Sequence, residues 1–121
     1  MHIQFAELPV FDQDRAKAFY TDKLACQVIA DHPMGDGGWR WLELAFPHAV
    51  TNLHFIGRAD ASPSEGPVLV LVDDDVEATV ASLKAKGVEI VSEPQEAPWE
   101  PGRVIAEFHD SEGNRMVLVS R

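Results

Sequence analysis

The sequence predicts an α+β fold of two tandem βαβββ modules. Three observations predict it. The order strand, helix, strand, strand, strand reads twice along the chain. An offset of 62 residues places Asp12 on Asp74, Ala25 on Gly87 and Val28 on Ile90. The chain also closes on a turn, "DSEGN", and one apolar strand, "RMVLVS", which together complete a second module.

The elements follow in order. "IQFAEL" reads as a strand, and "FDQDRAKAFYTDKLA" as a helix with Ala16, Phe19, Tyr20 and Leu24 at helical spacing. Asp12 suits its N-cap, and Asp14 lies in the first turn, where the helix dipole favours a negative charge. "CQVIAD", the glycine-rich turn "PMGDGG", "WRWLELAF" and "VTNLHFI" supply three more strands and the turn chemistry between them. The second module begins with "PVLVLV". Its helix "DDDVEATVASLKAKG" carries Val76, Val80 and Leu83 on one face, Asp74 and Glu77 spaced as a capping pair, and Gly87 as its stop. "VEIVSE", "VIAEFHD" and "RMVLVS" follow. The expected organisation is one domain over 1–121, with modules at 1–57 and 67–121 and a linker at 58–66, within "GRADASPSEG".

Composition narrows the function. The 121 residues are 45% hydrophobic and 25% charged, which fits one soluble globular domain. The net charge of −10 repels phosphate backbones and anionic lipid, so neither nucleic acid nor a membrane surface is an expected partner. A cationic small molecule is favoured instead. No apolar run is long enough for a membrane helix and no export signal stands at the start, so the expected location is cytoplasmic. The single Cys26, in "KLACQVIA", suits a small apolar core position rather than a reactive thiol.

"FDQDRAKAFYTDKLACQV", "DDDVEATVASLKAKGVEIV" and "HDSEGNRMVLV", at these separations, make the chain resemble the vicinal oxygen chelate superfamily: glyoxalase I, bleomycin-resistance proteins and extradiol dioxygenases. The resemblance implies curved sheets around a cavity and a homodimer. It also implies a divalent ion in the metal-dependent members, held by His or Glu from the first and fourth strands of each module. Carried onto this chain, those positions fall on Phe5, Asn52, Pro67 and Val117, none of them a usual ligand. The familiar metal site is therefore not expected.

Alternation then names the neighbours on the cavity face: Glu7, Trp39, Trp41, Glu43, His54, Ile105, Glu107 and His109. Trp39, Trp41, Glu43, His54, Glu107, Glu7 and Asn52 are the expected ligand-binding residues. Aromatic faces and carboxylates both attract a cation. The resulting expectation is a metal-free binder of a small cationic or aromatic molecule, as in bleomycin-resistance proteins, with no cofactor. The alternative is a lyase, isomerase or dioxygenase with one divalent ion at an atypical site built from His54, Glu7 and Glu107 or His109. A third reading is a dimerising module with no ligand. "EPQEAPWEPGR", with Trp99, suits either a lid or a dimer contact, and Arg103 suits a substrate carboxylate or a neighbouring Glu.

Overall fold

The computed structural model describes residues 1–35, 38–58 and 62–121; the middle of the "PMGDGG" turn and residues 59–61 of the expected linker lie outside the described residues. The elements are β1 (Phe5–Val10), α1 (Gln13–Leu24), β2 (Gln27–Pro33), β3 (Arg40–Ala45), β4 (Asn52–Gly57), β5 (Pro67–Asp73), α2 (Val76–Ala85), β6 (Ile90–Glu96), β7 (Val104–His109) and β8 (Arg115–Ser120). They fall into two compact units, Met1–Ala61 and Ser62–Arg121. Each unit holds one helix and one curved four-stranded sheet, ordered β1-β4-β3-β2 and β5-β8-β7-β6. In both, the first strand runs parallel to the fourth, and the other pairs are antiparallel.

Local chemistry sets the helix limits. Asp12 caps α1, its side chain accepting from Arg15 N at 3.0 Å. Ala25 ends the helix in the left-handed region (φ 58). For α2 the expected pair of Asp74 and Glu77 gives way to Asp75, whose side chain accepts from Ala78 N at 3.0 Å. Asp74 stands one residue outside the cap and pairs with Arg121. Among three consecutive aspartates, capping by Asp75 starts the helix at Val76, which brings Val76, Val80 and Leu83 into the core together.

In the first unit Leu8, Val10, Leu42, Leu44, Leu53 and Phe55 alternate onto one sheet face and are almost fully buried. Tyr20 of α1 packs there too, its ring 5.8 Å from that of Phe55. Burial of each such side chain is worth about 1.5–3 kcal/mol. Gln13 joins helix to sheet: its amide donates to Arg40 O at 2.6 Å, and its carbonyl accepts from Arg40 N at 2.9 Å. Both polar atoms of the first residue of β3 are thereby satisfied by one side chain.

In the second unit Ala106, Phe108, Met116 and Leu118 form the equivalent buried set. The opposite face, on which alternation puts Ile105, Glu107 and His109, carries an apolar cluster of Ala97, Ile105, Val117 and Val119. Ile105 of β7 and Val117 and Val119 of β8 share that face, so this sheet buries residues on both faces.

The turn into β8 is built by Asp110, whose Oδ1 accepts from the backbone N–H groups of Glu112 and Asn114, each at 2.8 Å. Asn114 Nδ2 donates to Asp110 Oδ2 at 3.0 Å. Gly113 sits at φ 77, with Pro63 Cα 3.2 Å from where a Cβ would stand. Both the backbone angle and the space call for glycine.

Candidate functional site

Strand register assembles the site in the first unit. Parallel pairing sets Phe5 beside Asn52 and Glu7 beside His54, and antiparallel pairing sets Glu43 on the other side of His54. Glu7, His54 and Glu43 therefore form a row across three adjacent strands. In-register residues on neighbouring strands point to the same face, so the row is a consequence of the sequence spacing on each strand.

His54 is 8% exposed and Glu43 7%, whereas about half of the Glu7 side chain is open to solvent. His54 Nδ1 lies 2.6 Å from Glu7 Oε2. Asn52 Nδ2 donates to Glu43 Oε2 at 2.6 Å. The Trp41 and His54 rings stack with centroids 3.9 Å apart at an interplanar angle of 32°. Phe5 meets the edge of Trp41 at 5.8 Å and lies 5.1 Å from the His54 ring.

These contacts fix the plane of the imidazole. An ionised carboxylate only accepts, so the Nδ1–H points at Glu7, and in the neutral ring this leaves Nε2 as an acceptor. Nε2 has no hydrogen-bond partner among the described residues. Glu43 receives one hydrogen bond, from a neutral amide, and no ion pair among the described residues. The site thus offers an aromatic face, an oriented acceptor and a buried carboxylate without a cation.

Five of the expected residues meet here: Glu7, Trp41, Glu43, Asn52 and His54. Phe5 joins them as a ring partner, a role that its place among the unmatched metal positions concealed. Trp39 does not. It precedes β3, and its ring lies 3.7 Å from the position of a Cβ on Gly57, a residue that alternation places on the Leu53 and Phe55 side. Glu107 belongs to the second unit, where it is ion-paired with Arg115, whose Nε is 2.6 Å away. His109 Nδ1 stands 3.4 Å from Glu89, and Arg103 pairs with Glu100 at 2.8 Å. Trp99 is 64% exposed in the connection between β6 and β7. His32, to which its turn-like surroundings beside a proline and a glycine-rich turn gave no role, lies in β2 in register with Trp41. Cys26 offers no nucleophile, since burial pushes its thiol up to about 12.

Register also corrects the metal comparison. Glu43 pairs with His54 and Glu107 pairs with Val117, so the counterpart of Val117 in the first sheet is His54 rather than Asn52. The first unit therefore brings one imidazole and, beside it, Glu7. In the second unit the corresponding positions Pro67, Val117 and its β5 neighbour Val70 carry no donor, and the carboxylate of Glu107 is taken by Arg115. No group of three or more His, Cys, Asp or Glu is placed to hold a metal ion among the described residues. A four-strand divalent site is not matched by these side chains.

Two modules of this topology, with this face, define a class, and sequence comparison agrees. The chain belongs to the Glyoxalase/Bleomycin resistance protein/Dioxygenase superfamily, which it matches over residues 2–118. It is similar to the uncharacterised protein YetH of Bacillus subtilis, with 35% identity over 111 residues covering 90% of this chain and 89% of that one. Among solved structures it resembles TnmS3, an antibiotic binding protein from Streptomyces sp. CB03234, at 34% identity and a TM-score of 0.82, covering 99% of this chain and 95% of that one. It also resembles a superfamily member from Sphaerobacter thermophilus at 25% identity and a TM-score of 0.84, covering 100% and 98% of the two chains. No helix among the described residues is long and apolar enough to cross a membrane.

Proposed function

We propose that this protein binds a small planar organic molecule without a metal ion, on the face of the first sheet formed by Trp41, Phe5, His54, Glu43 and Glu7. The observation that carries the reading is the Trp41–His54 stack, edged by Phe5 and set beside two carboxylates. Trp41 stays partly exposed, so an aromatic surface remains for a ligand ring. Aromatic contact and negative charge together favour an aromatic or cationic ring. The likeness to TnmS3 supports binding rather than turnover. The homodimer and the cytoplasmic location that the sequence implies belong to the same proposal, and sedimentation at several concentrations tests the first.

The test is calorimetric titration with a panel of planar aromatic and cationic compounds, for the native protein and for Trp41→Ala. The variant is expected to lose about 1–3 kcal/mol of affinity for any compound the native protein binds, as hot-spot aromatics do. Equal affinity in both proteins would remove Trp41 from the site.

A further inference from the structure

Three features of the Glu7–His54–Glu43 row are not explained by the needs of folding. First, Glu43 is 7% exposed, yet its one partner is the neutral Asn52 amide, and a buried carboxylate without a cation is unfavourable. Second, His54 is equally buried as a residue, yet its Nε2 has no partner among the described residues and is not sealed from solvent, so it is open to an incoming donor. Third, the two acceptors are in-register neighbours on β3 and β4, so a single group can reach both. Glu7, on the far side of His54, holds the ring at the angle that presents Nε2.

We propose that Glu43 and His54 form a paired acceptor that reads a protonated nitrogen carrying at least two N–H bonds, attached to a planar ring that lies against Trp41. An amidinium or a protonated primary amine on an aromatic ring has this chemistry. One N–H donates to the Glu43 carboxylate, and a second donates to Nε2. A quaternary ammonium of equal charge has no N–H to give and leaves Nε2 unsatisfied. A neutral amide has the N–H bonds but not the charge that Glu43 lacks. Donor discrimination of this kind follows because a ligand that displaces solvent from both groups without replacing its hydrogen bonds loses affinity. His54 and Glu43 are thus specificity-determining residues, and Glu7 is a positioning residue for His54.

This inference rests on the proposed ligand face, and three probes of similar size separate the two. They are benzamidine (charge and N–H bonds), phenyltrimethylammonium (charge alone) and benzamide (N–H bonds alone). Binding is followed by the indole N–H signal of Trp41 in NMR titrations of the intact chain, with Trp41→Phe assigning that signal. Benzamidine is expected to bind at least about tenfold more tightly than either other probe. His54→Phe keeps a flat ring against Trp41 but removes the acceptor, and is expected to bring benzamidine down to the level of phenyltrimethylammonium. Glu43→Gln is expected to bring it down to the level of benzamide. Glu7→Gln should weaken benzamidine less than His54→Phe does. Equal affinity for benzamidine and phenyltrimethylammonium, both shifting Trp41, would overturn the paired acceptor while leaving the ligand face standing. No shift of Trp41 by any probe at millimolar concentration would overturn both. Each variant is compared with the native protein by melting temperature, and a discrimination lost only in a variant that is also unfolded is judged on Glu43→Gln, which removes a charge without removing volume.

Discussion

Glu43 and Glu107 occupy the same place in the two sheets, each on the third strand of its unit and each in register with the fourth. Two residues before the fourth-strand partner stands Asn52 in one sheet and Arg115 in the other. Glu107 therefore gains a guanidinium, at 2.6 Å from Nε, while Glu43 gains a neutral amide at 2.6 Å. The remaining counterparts differ in the same sense: His54 matches Val117, Glu7 matches Val70, and Trp41 matches Ile105. One copy of the module has its charge neutralised internally and its face filled with hydrocarbon. The other keeps an unneutralised carboxylate, an oriented imidazole and an indole. Tandem repetition lets one copy be specialised for stability while the other keeps polar and aromatic groups that the proposed ligand would use.

The contrast is broken most strongly at Trp41 and Ile105. Ile105 lies 9% exposed in the apolar cluster, so Ile105→Ala should destabilise the protein by about 2–4 kcal/mol, from lost transfer energy and the cavity left behind. Trp41 is only partly buried, so Trp41→Ala, despite removing more atoms, should destabilise less. Urea unfolding of the two variants decides the matter. A larger loss for Trp41→Ala would mean that the indole serves the fold first and a ligand second.

Much of this was legible in the sequence. Alternation in "NLHFIG" and "WRWLELAF", with the repeat, was enough to place Asn52, His54, Trp41 and Glu43 on one face. Period two assigns faces without knowledge of partners. Three things were not legible. Trp39 has the parity of Trp41 but stands just before the strand, where its carbonyl accepts from Met34 N at 3.2 Å and its ring lies against Gly57. The match of His54 to Val117 depends on register, which the chain sets through pairing and bulges between Pro67 and Leu69 and along β6. The neutralisation of Glu107 by Arg115 and not of Glu43 depends on cross-strand neighbours, about which spacing along one strand says nothing.

Smaller effects sharpen the comparison at the two glutamates. Arg115→Met leaves Glu107 with 14% of its side chain exposed and no cation, and should destabilise by about 1–3 kcal/mol, less than for a fully buried pair because Arg115 is itself 31% exposed. Glu43→Gln should be neutral or stabilising by up to about 1 kcal/mol, because it removes a buried charge that has no cation and keeps a side chain able to bond Asn52. The two variants are therefore expected to move the melting temperature in opposite directions or to differ clearly in size. Loss of stability in Glu43→Gln matching that of Arg115→Met would show that Glu43 has a structural cation and is not held for a ligand.

The last difference lies on the other face of the first sheet. Asp31 accepts from Lys17 at 2.8 Å and from Arg40 at 2.8 Å, and Arg40 also pairs with Asp14 at 2.9 Å. The second unit has Pro94 in the corresponding part of β6, and there a single pair among the described residues, Lys84 of α2 with Glu93, takes the place of the network. The Lys17 hydrogen bond first, and then that of Arg40, hold the Asp31 carboxyl below its ordinary value. A group depressed in the folded state contributes its stabilisation above its unfolded value, near pH 4, and loses it as pH falls through the lower folded value. Asp31→Asn should therefore lower stability at neutral pH by a few tenths to about 1 kcal/mol, and should reduce the loss that the native protein shows below about pH 4. Chemical unfolding of both proteins between pH 7 and pH 3 measures this. Parallel stability curves through the acid range would mean that Asp31 keeps its charge unaided, and that the two units differ on this face in sequence but not in energy.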